Sequence, residues 1–177
     1  MKTAKPMLSP VEAVKICLTQ KYCTFKGRAR RSEFWWFNLC YGILMSIVSG
    51  IAGIAFVVLG NWKQGLKQEL ESQVYDAVFD NDKMAALQAQ AEAADTTFNT
   101  WLIIIILFVI AAWLFLLLPS WGVLVRRMHD IGKSGWAILI ALIPIIGSII
   151  LLIWEVKDSD MFANQYGESP KYEEVNI

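Results

Sequence analysis

The 177-residue sequence predicts an all-α integral membrane bundle of three transmembrane helices, an N-terminal amphipathic helix and a helical extracytoplasmic loop. Two observations carry that expectation. Residues 34–60, 96–125 and 134–154 contain no Asp, Glu, Lys or Arg over 27, 30 and 21 positions, and each exceeds the roughly 18–20 apolar residues that cross a hydrocarbon core of about 30 Å. The charges, 16 basic and 16 acidic, are also sorted by segment. Residues 1–33 have a net charge of +6, 61–95 of −4, 126–133 of +2 and 155–177 of −4. With 56% hydrophobic and 18% charged residues, the composition excludes an ordinary soluble enzyme, a disordered chain and a nucleic-acid-binding basic domain.

Lys and Arg are retained on the cytoplasmic side of a membrane, so 1–33 and 126–133 are expected inside and 61–95 outside. The tail, 155–177, lies outside if 134–154 crosses fully and inside if that stretch turns back at Pro144 and Gly147. A cleaved signal fits poorly, since 33 residues precede the first stretch and 27 uncharged positions exceed a signal core of about 7–15. Cys17, Cys23 and Cys40 are read as small buried hydrophobes rather than disulfide partners.

Residues 8–25 read as an amphipathic helix. Ser9 can cap it, Pro10 suits its first position, and Glu12 completes a capping box. Val11, Val14, Leu18 and Tyr22 mark an apolar face, which either lies on the inner membrane surface or packs on the spans. In the first span, 34–60, Trp35 and Trp36 mark one interface and Trp62 the other. Gly42, Ser46 and Gly50, with Ser49 and Gly53, allow close helix approach, favouring an intramolecular contact over homodimerisation. In the loop 61–95, two helical pieces are separated at Asp80-Asn81-Asp82. The first carries Leu66, Leu70, Val74 and Val78; the second can run into span two, 96–125. Pro119 near the end of that span frees a carbonyl that a neighbour must satisfy. The third span, 134–154, is expected as a kinked crossing, with a re-entrant hairpin as the alternative.

Two polar clusters fall at the same expected face. One contains Gly27, Arg28, Arg30, Arg31, Glu33, Phe34 and Trp35; the other contains Arg126, Arg127, Met128, His129, Asp130, Gly132, Lys133, Ser134, Gly135 and Trp136. An ionisable group at the dry side of an interface requires a partner or access to headgroups. Glu33 is therefore expected to pair with Arg126 or Arg127, and Asp130 with Arg28, Arg30, Arg31 or Lys133. The six cations Arg28, Arg30, Arg31, Arg126, Arg127 and Lys133 are the candidate sites for anionic lipid headgroups. A single histidine beside an aspartate is weak evidence for a base or a metal site. The expectation for His129 and Asp130 is structural, capping the turn made by Gly132 and Gly135, with no catalytic residue, metal or cofactor.

These strings resemble a small bacterial inner-membrane family, the domain of unknown function 805. Its first motif is matched by Phe25, Gly27, Arg28, Arg31, Glu33, Phe34 and Trp35. Its second is matched by Arg126, Arg127, His129, Asp130, Lys133, Ser134, Gly135 and Trp136, with Met128 in place of Leu. Pro144 and Gly147 match a Pro-x-x-Gly, and Asn164, Tyr166, Gly167 and Pro170 match the ending. The resemblance implies the fold and location of a multi-pass inner-membrane protein, and the acidic loop as an insertion relative to shorter members. It implies no activity. The function expected is that of a non-enzymatic scaffold or partner subunit, with membrane lipids and a homo-oligomer or membrane-protein partner. An oligomeric transporter or channel is the alternative, and a lipid- or phosphate-group enzyme a third reading.

Overall fold

A computed structural model describes residues 2–174. The chain divides into two compact units, one formed by residues 1–43 and 114–177, the other by 44–113. Helix α1 (Pro10–Lys15) continues as one π-helical segment, Ile16–Gln20; α2 runs Arg31–Ala77, α3 Asn81–Asp130 and α4 Ile146–Val156. Strands β1 (Lys2–Ala4) and β2 (Tyr172–Glu174) pair antiparallel.

Helices α2 and α3, of 47 and 50 residues, are long and apolar enough to cross a membrane. Their most apolar windows are almost wholly unburied within the protein, as expected of surfaces whose solvent is lipid. The expected 61–95 loop is not a separate element. Both of its halves are helical extensions of the spans, joined by a turn at residues 78–80. Asp80 supports the start of α3 by accepting the Lys83 N–H at 3.2 Å. Leu70, Ala77 and Ala94 are buried in this hairpin, and Lys63 pairs with Asp95 at 2.8 Å. Val74 and Val78, expected on the same face as Leu70, remain exposed.

The small-residue stripe is not packed as expected. A Cβ built at Gly42, Gly50 or Gly53 would meet nothing within 4 Å, so among the described residues no other segment approaches closely at these glycines. Pro119 lies inside α3 and is buried. The carbonyl that it frees, that of Phe115, accepts the Tyr22 hydroxyl at 2.5 Å.

The first unit has two apolar centres. Cys17, Ala29, Phe34, Phe37 and Val123 form one; Met128, Ile131 and Ile138 form the other, with Leu151 and Trp154 packed against it. The capping box of Ser9 and Glu12 starts α1 with Pro10 in its first turn. Ala13 and Cys17 are the helix's buried positions, with Val14 and Leu18 packed beside them, whereas Val11 faces outward. The expected helix over 8–25 is thus shorter, and it packs on the protein. Of the three thiols expected to be buried, Cys17 is, Cys40 is half-buried and Cys23 is exposed.

Residues 134–154, expected as a kinked crossing with a re-entrant hairpin as the alternative, fold back on themselves. Residues 135–142 form a 3₁₀ helix, followed by a break and then α4, and the two pieces pack on each other. The ends of the hairpin meet: the Lys133 ammonium lies 4.1 Å from the Trp154 ring centre, and the Asp160 N–H donates to the Asp130 carbonyl at 3.1 Å. At the apex Ile145 has φ +65° and ψ −62°, and the Ile146 N–H donates to the Pro144 carbonyl at 2.7 Å. These are the features of a γ-turn of the rare, strained hand. Gly147 is required because a Cβ there would lie 1.8 Å from the Ile140 carbonyl oxygen. The Pro-x-x-Gly pattern therefore encodes a reversal, with proline in the turn and glycine where the two arms touch.

Candidate functional site

The two polar clusters meet in the first unit. The loop before α2 lies against the end of α3, where the Ala29 N–H donates to the Arg126 carbonyl at 2.9 Å. Gly27, at φ +86°, supplies the turn that directs its carbonyl to His129. At the other side, α3 ends on Gly132, at φ +74°. The Lys133 N–H bonds the Met128 carbonyl and the Gly132 N–H bonds that of His129, closing the helix with a Schellman pattern.

Glu33 and Arg126 form an ion pair with side-chain exposures of 4% and 0%. Arg126 Nε also donates to the Gly122 carbonyl, and Lys21 Nζ approaches Glu33 at 3.8 Å. Cys17 packs beside this pair, and burial, reinforced by the negative charge of Glu33, pushes its thiol pKa up to about 11. Asp130 is fully buried and accepts from Arg28 at 3.0 Å, Arg127 at 2.7 Å and the Ser159 hydroxyl. Charge-assisted, forked contacts of this kind hold a buried carboxylate in one orientation. Arg28 also reaches the carbonyls of Asp160, Phe162 and Gly167, which fastens the tail. Arg127 Nε donates to the Glu155 carbonyl at 3.1 Å and its Nη2 reaches that of Lys157. A guanidinium there satisfies the free carbonyls at the end of α4 and complements its negative pole.

The expected pairs are resolved as Glu33 with Arg126, and Asp130 with Arg28. The second carboxylate also holds Arg127. Arg30 donates to the carbonyls of Pro6 and Lys5. Of the six cations expected at headgroups, Arg28, Arg30, Arg126 and Arg127 are buried within the protein. Arg31 is exposed, 3.2 Å from Asp158, and Lys133 stands over Trp154. Arg28 was legible as a carboxylate partner, but its carbonyl ligands on the tail were not, since backbone oxygens leave no mark in sequence.

His129 is held differently from its neighbour. Its Nδ1 donates to the Gly27 carbonyl at 3.1 Å, and its ring stacks on Tyr166 at 3.8 Å and 3°. The tight turn that pairs Asn164 with Gly167 places Tyr166 there. Asn164 Nδ2 donates to the His129 carbonyl while its Oδ1 accepts the Tyr166 N–H. Gly167, at φ +121°, permits the turn. Pro170 is half-buried just beyond it. Ser134 caps the 3₁₀ helix by accepting the Trp136 N–H at 3.4 Å, and Trp136 itself is exposed. Trp35 is exposed and stacks edge-on with buried Phe34. Asp130 and His129 do not form a hydrogen-bonded dyad, because the carboxylate is directed to the arginines. Among the described residues, no three His, Cys, Asp or Glu side chains gather as a metal site.

A helical protein with two membrane-length apolar helices and a buried arginine–carboxylate centre is the class these features define. The chain belongs to the family described as protein of unknown function (DUF805), whose model matches residues 22–168. It is similar to inner membrane protein YhaH of Escherichia coli (strain K12), 27% identical over 155 residues that cover 87% of this chain and 93% of that one. It is also similar to inner membrane protein YhaI of the same organism, 26% identical over 158 residues, or 89% and 94% of the two chains. No solved structure matches the chain significantly.

Proposed function

We propose that this chain is a two-pass protein of the bacterial inner membrane, with residues 1–33, 126–133 and the tail on the cytoplasmic side, acting as a non-enzymatic scaffold or partner subunit. The two spans are 34–60 and 96–125, and 134–154 is a re-entrant hairpin. The apex of that hairpin has its backbone partly satisfied from within, through bonds from Ile143, Ile146 and Gly147, which suits insertion into lipid. Both basic segments then share the face that retains Lys and Arg.

The observation that carries the non-enzymatic reading is the commitment of the motif side chains to one another. Glu33 neutralises Arg126, Asp130 bridges Arg28 and Arg127, and the Asp130 carboxylate is not bonded to the imidazole of His129. In a Ser-His-Asp arrangement a carboxylate stabilises the imidazolium that forms, and here the adjacent carboxylate serves arginines instead. Headgroup attraction falls to the cations that remain accessible, Arg31 and Lys133, each contributing about 1 kcal/mol near an anionic surface.

The topology is tested in spheroplasts of a Cys23→Ser strain with a membrane-impermeant maleimide. Asn81→Cys reacts from outside, and Gln165→Cys reacts only after permeabilisation; external labelling of Gln165→Cys overturns the two-pass reading. The scaffold role is tested by native mass spectrometry of protein extracted at its natural level in mild detergent. A stoichiometric assembly with another membrane protein or with further copies is expected, and extraction as a bare protomer rejects it. In the same spectra, Arg31→Gln/Lys133→Gln loses any enrichment of phosphatidylglycerol over phosphatidylcholine.

A further inference from the structure

Beside the arginine–carboxylate centre lies a cleft of about 410 Å³ whose lining contains no Asp, Glu, Lys or Arg. Its walls include Phe25, Trp121, Trp136, Leu139 and Tyr166, together with His129. The volume falls within the range of small-molecule sites, which combine apolar walls with a few fixed polar groups. The fixed group here is the imidazole of His129, which is 8% exposed.

The orientation of that imidazole is set on three sides. A carbonyl oxygen can only accept, so Nδ1 carries the proton that it donates to Gly27. Stacking on Tyr166 fixes the ring plane. Nε2 points toward Gly135, where a Cβ would lie 3.6 Å from it, and among the described residues it meets no hydrogen-bond partner. In a neutral imidazole whose Nδ1 is protonated, Nε2 is an acceptor only, and burial holds the pKa of His129 below the ordinary imidazole value, which favours the neutral ring at pH 7.5. The cleft therefore presents the Nε2 lone pair, aromatic walls, the polar side chain of Ser134 and no charge. Nε2 opens on the cleft as an acceptor, so a ligand that brings a donor can bond to it.

We propose that this cleft binds the hydroxyl group of an uncharged, long-chain amphiphile drawn from the bilayer, a lipid alcohol of the fatty-alcohol or acylglycerol class. Its O–H donates to His129 Nε2, and its chain lies against Trp121, Trp136 and Leu139. Exposed Trp121 and Leu139 continue the apolar surface outward from the cleft, which provides a path from lipid. Charge complementarity separates this ligand from a phospholipid headgroup, because no Lys or Arg lines the cleft. The proposal is independent of the scaffold reading, since a partner subunit can hold a lipid.

The test uses the full chain in phosphatidylcholine nanodiscs at pH 7.5, with bromine-tailed dodecanol as the probe and quenching of tryptophan fluorescence as the readout. Its methyl ether, which lacks the donor, and the corresponding bromododecanoate are compared. The alcohol is expected to bind about five- to tenfold more tightly than the ether, the ratio of one hydrogen bond. His129→Asn can keep a donor toward Gly27 while removing Nε2, and it should abolish that preference. Leu139→Trp fills the rim without touching the imidazole bonds and should weaken alcohol and ether alike. Equal affinity for alcohol and ether, tighter binding of the carboxylate, or indifference to Leu139→Trp overturns the proposal. Should His129→Asn not fold, the ether comparison and Leu139→Trp decide it.

Discussion

Glu33 and Arg126, 93 positions apart in sequence, form an ion pair from which solvent is almost wholly excluded. Glu33 stands in the first turn of α2 and Arg126 near the end of α3, so the pair ties the start of one long helix to the end of the other. Removing one partner from a buried pair leaves an uncompensated charge, which costs about 3–5 kcal/mol. Glu33→Gln should lower the thermal stability of detergent-purified protein by that amount, and Arg126→Gln similarly. Glu33→Leu/Arg126→Met, which removes both charges, should lie within about 1–2 kcal/mol of wild type. If either single substitution leaves the melting temperature and expression level unchanged, the pair holds nothing together.

That pair also shows how far the sequence could be read. Three uncharged stretches and the sorted charge were enough for helices and for the meeting of the two motifs, because desolvation leaves Glu33 few partners. The sequence reading left Arg126 and Arg127 open, since two neighbours on a helix differ by about 100° and only packing shows which faces α2. The sequence leaves a crossing and a hairpin at Pro144 both open, because hydropathy is the same for the two. The two differ in Gly147, whose missing Cβ is explained only by the position of the Ile140 carbonyl. The burial of Arg28, Arg30 and Arg127 is not legible in the sequence for a related reason. Their partners are largely main-chain oxygens of segments 5–6 and 154–167, and these carry no sequence signature.

The cysteines provide a pH-dependent probe of the same region. Only the thiolate reacts with alkylating agents, and Cys17 is buried with a pKa of about 11, whereas Cys23 is exposed. At pH 7.5 iodoacetamide should modify Cys23 and leave Cys17 intact in folded protein, as read by peptide mass spectrometry. The sign for stability follows from linkage: the folded thiol holds its proton above the pH at which the unfolded thiol releases it. Its contribution is therefore complete below about pH 9 and declines toward pH 11. A Cys17→Ala variant should lose that part of the alkaline decline, while Cys23→Ala should not. Rapid labelling of Cys17 at pH 7.5 would contradict its burial against Glu33.

The hairpin apex offers two substitutions of opposite expected sign. Gly147→Ala places a methyl group 1.8 Å from the Ile140 oxygen, and the backbone must separate to admit it. A loss of about 3 kcal/mol is expected, the upper end for overpacking. Ile145→Gly removes the steric penalty of a β-branched residue at φ +65°, a relief of about 1 kcal/mol that should raise the melting temperature slightly. Both are measured on purified protein in one detergent. If Gly147→Ala is tolerated without loss, the two arms do not meet as described.

The last relationship concerns a carbonyl rather than a charge. Pro119 has no N–H to offer the Phe115 oxygen four residues earlier, and the Tyr22 hydroxyl takes that place, with its ring 5.3 Å from that of Phe115. The π-helical segment that ends at Gln20 delivers Tyr22 to this position. Tyr22→Phe keeps the ring and removes the donor, so it should destabilise by about 1–3 kcal/mol, the range for an unsatisfied polar group. Pro119→Ala restores an N–H to the helix and gives Phe115 its ordinary partner. The two changes must then be non-additive: Tyr22→Phe should cost distinctly less in the Pro119→Ala background than alone. A thermal-stability double-mutant cycle measures the difference. Equal losses in both backgrounds would mean that the tyrosine contributes its ring and not its hydroxyl, and that the freed carbonyl is satisfied in some other way.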